Sequence, residues 1–214
     1  MTTPAPTRSA RLTVRRLLGL DRSGPEPSAT RAGQPLRPFT IPNLVGYLRL
    51  AALPAFVILA FESGDGRTAA SSILFAAIAG SDYLDGFLAR MTGQYSRMGA
   101  LLDPVVDRLT VLCGAAVCWH FELLPRWALA VLAIREIAML VLARAALSRG
   151  VDIEINWIGR IAVFGVMGGI FIALVADTPL ALVVFMIGLV GSILATALYV
   201  KVARNRLRIA RGNA

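Results

Sequence analysis

The sequence predicts an all-α membrane protein with six transmembrane helices and both termini in the cytoplasm. Three observations support this fold class. The chain of 214 residues is 57% hydrophobic, its mean hydropathy is +0.68, and its apolar residues fall into six runs, each near the roughly 20 residues that a helix needs to cross the bilayer. Because soluble domains of this size carry a larger polar share, we expect a multi-pass protein of the cell membrane.

The apolar runs follow a basic N-terminal tail. Residues 1–38 are rich in Arg, Pro, Ser and Thr and lack the apolar core of a signal peptide, so we expect a disordered cytoplasmic segment. Clusters of Gly, Pro, Ser and Asp separate the runs and favour turns. The chain therefore divides into a tail (1–38), a six-helix domain (39–203) and a second basic tail (204–214). The predicted spans are residues 43–61, 68–90, 99–119, 127–147, 157–176 and 179–200.

The distribution of Lys and Arg predicts the orientation in the membrane. Of the 22 basic residues, seventeen lie in the two tails and in the loops after spans two and four, whereas the opposite loops hold Arg67 and Arg126. Positively charged loops stay in the cytoplasm, which places both termini there. The net charge of +9 does not indicate nucleic-acid binding, because no helix-turn-helix, RNA-binding aromatic motif or zinc pair accompanies it.

Four carboxylates within the apolar runs form a candidate metal site. Asp82 and Asp85 are three residues apart, and Asp103 and Asp107 are four apart, so on helices each pair projects from one face. The short segment between spans two and three makes these spans antiparallel neighbours and brings both pairs into one cavity at their cytoplasmic ends. Carboxylates crowded at membrane depth require neutralisation, and an all-oxygen ligand set favours Mg²⁺ or Mn²⁺.

Two other interpretations of these carboxylates stay open at this point. They could pair with Arg90, Arg97 and Arg108, although three arginines do not explain why two carboxylate pairs hold helical spacing. A divalent-cation transporter also needs acidic residues within the membrane. Transporter sites usually lie near the bilayer midplane between internal repeats, however, and no repeat is evident in this sequence.

The segment around the carboxylates resembles the signature of the CDP-alcohol phosphatidyltransferase family. Residues 82–90 read Asp-Tyr-Leu-Asp-Gly-Phe-Leu-Ala-Arg, and residues 99–107 read Gly-Ala-Leu-Leu-Asp-Pro-Val-Val-Asp. The family's four Asp, two Gly and Ala-Arg stand at the same intervals. Further stretches are similar to the branch that contains phosphatidylglycerophosphate synthases and actinobacterial-type cardiolipin synthases, and they extend the resemblance over residues 40 to about 175. These stretches are Ile41-Pro42-Asn43-Leu44 with Arg49, Arg135-Glu136-Ile137 and Trp157-Ile158-Gly159-Arg160.

The resemblance implies an enzyme that transfers the phosphatidyl group of CDP-diacylglycerol to an alcohol and releases CMP. It implies two metal ions, Mg²⁺ or Mn²⁺, on Asp82, Asp85, Asp103 and Asp107, with Asp107 also the general base. It further implies contact with membrane lipids and a homodimer. The small-residue pair Gly165 and Gly169 could pack helices within the chain or between chains. The expected CDP-lipid-binding residues are Asn43, Gly86, Arg90, Ser96 and Gly99.

The acceptor alcohol is less constrained by the sequence. Arg135, Arg144 and Arg160 lie toward the cytoplasmic side and would suit an acceptor phosphate, which favours glycerol 3-phosphate; for the last two, ordinary positive-inside anchoring explains the charge equally well. Phosphatidylglycerophosphate synthases commonly continue the Trp-Ile-Gly-Lys stretch with Lys-Thr and a Gln, but Arg160 is followed by Ile-Ala-Val-Phe-Gly. This departure raises phosphatidylglycerol, the acceptor of cardiolipin synthases, as the alternative, and inositol phosphate or another alcohol stays a third possibility.

Overall fold

A computed structural model describes the backbone of residues 41–92, 97–147 and 157–212, and the side chains of residues 43–81, 102, 104–142, 159 and 161–201. Every secondary-structure element in these ranges is an α-helix, so the predicted all-α class is confirmed. In chain order the helices are α1 (Ile41–Glu62), α2 (Ala69–Thr92), α3 (Arg97–His120), α4 (Arg126–Leu147), α5 (Trp157–Val175) and α6 (Pro179–Gly212).

Each helix coincides with one predicted apolar run to within a few residues, except at the end of α6. That helix continues to Gly212, through most of the segment predicted as a basic tail. Residues 201–211 contain no Gly or Pro and include four Arg and two Ala, which are strong helix formers. The end of the sixth span was predicted from the charge that follows it. The helix propensity of the same residues allows α6 to continue. The N-terminal tail, residues 1–38, lies outside the described residues.

Two helical segments in the described part of the chain are long and apolar enough to cross a membrane, Asn43–Glu62 and Pro179–Lys201. Two further segments, Ala69–Ser81 and Ile161–Val175, are apolar but shorter. The surface of the bundle carries large apolar side chains that are 66–78% exposed, including Ile73, Ile161, Phe164 and Ile187. An apolar surface of this kind is typical of contact with lipid, and the chain is therefore membrane-associated.

The helices pack around one apolar core. Helix α1 contacts α2 and α3, α5 lies along α6, both α2 and α3 contact α5, and α4 contacts α3 and α6. Phe56 of α1 and Phe75 of α2 are fully buried, with ring centroids 5.3 Å apart. Phe75 also packs against Gly114 of α3, where an added Cβ would lie 2.8 Å from the ring. The core thus holds α1, α2 and α3 together beneath the segments that carry the acidic residues.

Polar contacts anchor the start of α2 to the end of α5. The Thr68 hydroxyl accepts a hydrogen bond from the Ser71 backbone N–H (3.1 Å), which caps the helix. Ser72 Oγ donates to the Leu174 carbonyl (3.0 Å), and Arg67 Nε donates to the Ala173 carbonyl (3.1 Å). The Arg67 guanidinium also lies 3.4 Å from the Asp177 carboxylate. The end of α2 that is remote from the acidic residues is therefore fixed.

Glycines allow α5 and α6 to approach at backbone distance. A Cβ added to Gly188 would lie 2.2 Å from the Val166 backbone nitrogen, and one added to Gly165 would lie 2.7 Å from the Gly188 Cα. A Cβ added to Gly169 would lie 2.5 Å from the Phe185 Cα. The small-residue spacing of Gly165 and Gly169 therefore serves a helix contact within the chain, which was one of the two possibilities that the sequence left open.

We predict that Gly188→Ala destabilises the protein by about 1–3 kcal/mol, because the new methyl group meets backbone that cannot give way. Gly168→Ala on α5 is the matched control, since its Cβ would lie 3.6 Å from the nearest atom, an ordinary contact. Thermal unfolding of both variants in the same detergent measures the effect. Equal melting temperatures for the two variants would contradict the close α5–α6 contact.

Candidate active site

Helices α2 and α3 carry the four predicted metal-binding carboxylates. Helix α2 runs through Asp82 and Asp85, and α3 runs through Asp103 and Asp107. The helical spacing that the sequence analysis assumed is therefore present. The two helices are in contact, and four residues of sequence separate Thr92 from Arg97. Because the side chains of Asp82, Asp85 and Asp103 lie outside the described residues, the shared cavity stays a prediction.

Asp107 is the acidic residue of this set whose side chain is described, and it is paired with a buried arginine. Arg49 Nη2 donates to Asp107 Oδ1 at 2.8 Å. The Arg49 side chain is 2% exposed, whereas that of Asp107 is 39% exposed. A charge-assisted hydrogen bond of this length is among the strong ones in proteins. Asp107 is therefore held by the interior of the bundle and still reaches its surface.

Arg49 belongs to a stretch that resembles the family, but the sequence did not place it in the site. The structure brings it there from the middle of α1, where its Nε also donates to the Ile78 carbonyl of α2 at 3.1 Å. The signal that could have found this contact is the cost of a buried arginine, which requires an acidic partner on a neighbouring helix. The sequence did not indicate which carboxylate would be that partner.

A second polar cluster joins α3, α4 and α6 beside Asp107. Glu136 of α4 is buried, with 5% exposure, and Arg108 Nη1 lies 3.2 Å from both its Oε2 and its backbone carbonyl oxygen. Arg135 pairs with the other carboxylate oxygen of Glu136, and its Nε donates to Thr196 Oγ1 of α6 at 3.2 Å. One carboxylate thus neutralises part of the charge of two arginines.

This cluster bears on two expectations from the sequence. Arg108, considered as a partner for the acidic pairs, contacts Glu136 instead. Arg135, predicted to bind the acceptor, shares the Glu136 carboxylate with Arg108, the residue that follows Asp107 on α3. Its guanidinium contacts both Glu136 and Thr196. The side chains of Arg144 and Arg160, the other two predicted acceptor residues, lie outside the described residues.

The predicted CDP-lipid residues are described only in part. Asn43 is buried, with 2% exposure, in the first turns of α1. Gly86 and Arg90 lie on α2 and Gly99 on α3, but their surroundings and the Arg90 side chain are outside the described part. Ser96 falls in the segment 93–96, which is also outside it. Their contribution to one binding site therefore stays a prediction.

The donor chemistry fits a hard divalent cation. Carboxylates at i, i+3 of α2 and i, i+4 of α3 offer oxygen ligands from two helices in contact, and oxygen is the ligand that Mg²⁺ and Mn²⁺ prefer. Among the side chains that the structure describes, no group of three His, Cys, Asp or Glu residues could hold a metal ion. Three of the four predicted ligands are not among those side chains, so the site is still expected on α2 and α3.

Comparison with known proteins identifies the family. Residues 39–199 match the family model described as CDP-alcohol phosphatidyltransferase, and this range contains all four acidic residues. The chain is 38% identical over 145 residues to a cardiolipin synthase (CMP-forming) of Streptomyces coelicolor, covering 66% of this chain and 67% of that protein. Mycobacterial relatives are covered over 63% of their length.

Relatives whose names include glycerol 3-phosphate are also similar to this chain. The CDP-diacylglycerol–glycerol-3-phosphate 3-phosphatidyltransferase of Bacillus subtilis is 28% identical over 159 residues, which is 69% of this chain and 82% of that protein. The Escherichia coli protein of the same name is 32% identical over 130 residues, 58% of this chain and 70% of that protein. The resemblance predicted from the acidic motif is confirmed, and the chain belongs to the CDP-alcohol phosphatidyltransferase family.

Proposed function

We propose that this protein transfers the phosphatidyl group of CDP-diacylglycerol to an alcohol and releases CMP. The observation that carries the proposal is the family match over residues 39–199, which includes the two acidic segments of α2 and α3. The relatives described above are named either as cardiolipin synthases or as phosphatidyltransferases that use glycerol 3-phosphate. These names correspond to the two acceptors considered for this chain. The contact between α2 and α3 supports a single site for both acidic pairs.

The proposed site faces the cytoplasm, in a protein that crosses the membrane six times. The two apolar helices Asn43–Glu62 and Pro179–Lys201 support spans one and six, and the other four rest on the apolar runs of the sequence. The excess of Lys and Arg near the acidic ends of α2 and α3 supports the cytoplasmic side. In this orientation the soluble CDP head group approaches from the cytoplasm, while the acyl chains stay in the leaflet. A homodimer, as the family resemblance implies, is part of the same proposal.

Asp82, Asp85, Asp103 and Asp107 would hold two divalent cations, Mg²⁺ or Mn²⁺. When bound, such ions neutralise negative charge on the pyrophosphate and on the departing CMP. Gly86 and Gly99, which have no side chain, would allow close approach of the nucleotide to the backbone beside the carboxylates. Arg90 would donate charge-assisted hydrogen bonds to phosphate oxygens, and Asn43 and Ser96 complete the proposed CDP-lipid contacts.

Asp107 would act as the general base. In the proposed reaction the acceptor hydroxyl loses its proton to the Asp107 carboxylate, its oxygen bonds to the phosphatidyl phosphorus, and the bond from that phosphorus to CMP breaks. The 2.8 Å contact with Arg49 holds Oδ1, and the partial exposure of Asp107 allows an acceptor to approach the carboxylate. An ordinary carboxylate is a weak base at neutral pH. The rate enhancement would therefore come from the position of Asp107 beside the acceptor hydroxyl and not from its basicity.

Phosphatidylglycerol and glycerol 3-phosphate are the two candidate acceptors. Two observations favour phosphatidylglycerol: Arg160 is followed by the apolar residues 161–165, and Arg135, a predicted ligand for an acceptor phosphate, is engaged by Glu136 and Thr196. Glycerol 3-phosphate, which the sequence analysis favoured, is supported by the stretches similar to phosphatidylglycerophosphate synthases and by the names of the Bacillus and Escherichia relatives. We propose phosphatidylglycerol first.

Asp107→Asn is expected to lower kcat for CMP release from CDP-diacylglycerol by roughly 100-fold or more, because general-base catalysis typically contributes 10²–10⁴-fold. Asp177→Asn is the matched control. That residue also pairs with an arginine, but it is 91% exposed and lies at the opposite end of the bundle, so its loss should leave the rate unchanged. Undiminished CMP release by Asp107→Asn would remove the base assignment.

An acceptor panel separates the two candidate activities. Purified protein receives labelled CDP-diacylglycerol with phosphatidylglycerol, glycerol 3-phosphate or inositol phosphate, and the lipid products are separated by chromatography. We expect cardiolipin from phosphatidylglycerol as the principal product, because the apolar stretch after Arg160 offers few groups that bind a phosphomonoester. Phosphatidylglycerophosphate as the principal product would assign glycerol 3-phosphate, and the lack of any CMP release would overturn the proposed function.

A further inference from the structure

Arg49 makes contacts that the proposed reaction does not use directly. From α1 it reaches two other helices: its Nη2 donates to Asp107 Oδ1 on α3 at 2.8 Å, and its Nε donates to the Ile78 carbonyl on α2 at 3.1 Å. The residue is 3% exposed. One planar guanidinium therefore connects the two helices that carry the acidic pairs.

The contact on α2 lies one helical turn before the first acidic residue. Ile78 is four residues ahead of Asp82, and in an α-helix the carbonyl of residue i accepts the backbone N–H of residue i+4. Ser81 Oγ also donates to the Ile78 carbonyl, at 2.9 Å. The Ile78 carbonyl is thus a fixed point at the start of the turn that leads into Asp82. A side chain that holds both this carbonyl and Asp107 sets where the two acidic segments stand relative to each other.

We propose that Arg49 is a positioning residue that holds the acidic segments of α2 and α3 in the relative position needed to bind a divalent cation and CDP-diacylglycerol. This inference rests on the proposed function of the site. Arginine suits the role because its guanidinium presents several donors in a fixed plane, so it can satisfy two acceptors on different helices at once. Lysine carries the same charge as a compact ammonium group at the end of a flexible side chain. It therefore cannot present two donors in one fixed plane to acceptors on different helices.

A different role for Arg49 would be that of a counter-charge for the crowded carboxylates. The two roles predict opposite effects on cation binding. Removing a positive charge beside carboxylates strengthens their attraction for a divalent cation. Disturbing the relative position of the ligands weakens cation binding, because ligands that are not held in place bind metals less tightly. The sign of the change in affinity therefore distinguishes positioning from charge balance.

The test measures Mn²⁺ binding to the full-length protein in detergent by the loss of the free-Mn²⁺ signal in electron paramagnetic resonance. For Arg49→Lys and Arg49→Gln we expect Mn²⁺ affinity to fall about 10- to 100-fold, the range seen when residues that orient metal ligands are removed. The rate of CMP release is expected to fall by a similar factor. Thermal unfolding of each variant checks that the helices remain assembled.

Arg67→Lys is a chemically matched control. Arg67 also donates from Nε to a helix carbonyl, that of Ala173 (3.1 Å), and pairs with an aspartate, Asp177 (3.4 Å), but at the other end of α2. Its replacement should leave Mn²⁺ affinity and CMP release unchanged even where stability falls.

Three results would overturn the proposal: wild-type Mn²⁺ affinity in Arg49→Lys, tighter binding in Arg49→Gln, or an equal loss of affinity in Arg67→Lys. If the Gln variant does not fold, Arg49→Lys, which keeps the charge and the length of the side chain, decides the outcome. A wild-type protein that binds Mn²⁺ but releases no CMP would contradict the proposed function. The Mn²⁺ measurements would still test the role of Arg49.

Discussion

Charged residues inside an apolar helix bundle must be neutralised, and this requirement explains the ion pairs of Arg49, Arg108 and Arg135 in the described part of the bundle. An arginine or carboxylate at membrane depth loses its hydration, and partners recover only part of that cost. The structure meets the requirement with ion pairs, of which Arg49–Asp107 and Arg108–Glu136 join different helices and Arg135–Glu136 lies within α4. Arg49 of α1 pairs with Asp107 of α3, and Arg108 of α3 and Arg135 of α4 share Glu136. For the acidic pairs on α2 and α3, a divalent cation would serve the same purpose.

The remainder of the bundle supports these contacts without taking part in them. Helices α5 and α6 pack at backbone distance at Gly165, Gly169 and Gly188. The buried aromatic rings of Phe56 and Phe75 pack α1 against α2. Association of helices in lipid depends on such close packing, because the hydrophobic effect does not drive it there. In a closely packed bundle of this kind, a buried side chain such as Arg49 can fix the position of one helix relative to another.

Hydropathy alone predicted the helices, because every helix must satisfy its backbone hydrogen bonds internally and cover them with apolar side chains. The predicted sixth span, 179–200, agrees with the apolar segment Pro179–Lys201, and α6 continues beyond it to Gly212 despite the charge of these residues. The acidic segments 82–90 and 99–107 identified the family, because their residue types and intervals match its signature and the family model covers both. Which partners Arg49 and Arg108 would take could not be predicted, because that choice depends on the rotation and depth of neighbouring helices. Helical periodicity fixes neither of these across a loop.

The proposed reaction requires the acidic faces of α2 and α3 to meet at one cation site. The most direct measurement is an experimental structure of the protein with Mn²⁺ and CDP, in which anomalous scattering locates the manganese. We predict manganese peaks between α2 and α3, at about 2.0–2.6 Å from carboxylate oxygens, with Asp82, Asp85, Asp103 and Asp107 as ligands and Arg49 still bonded to Asp107. Manganese bound elsewhere, or Asp82 and Asp85 turned away from Asp103 and Asp107, would contradict it.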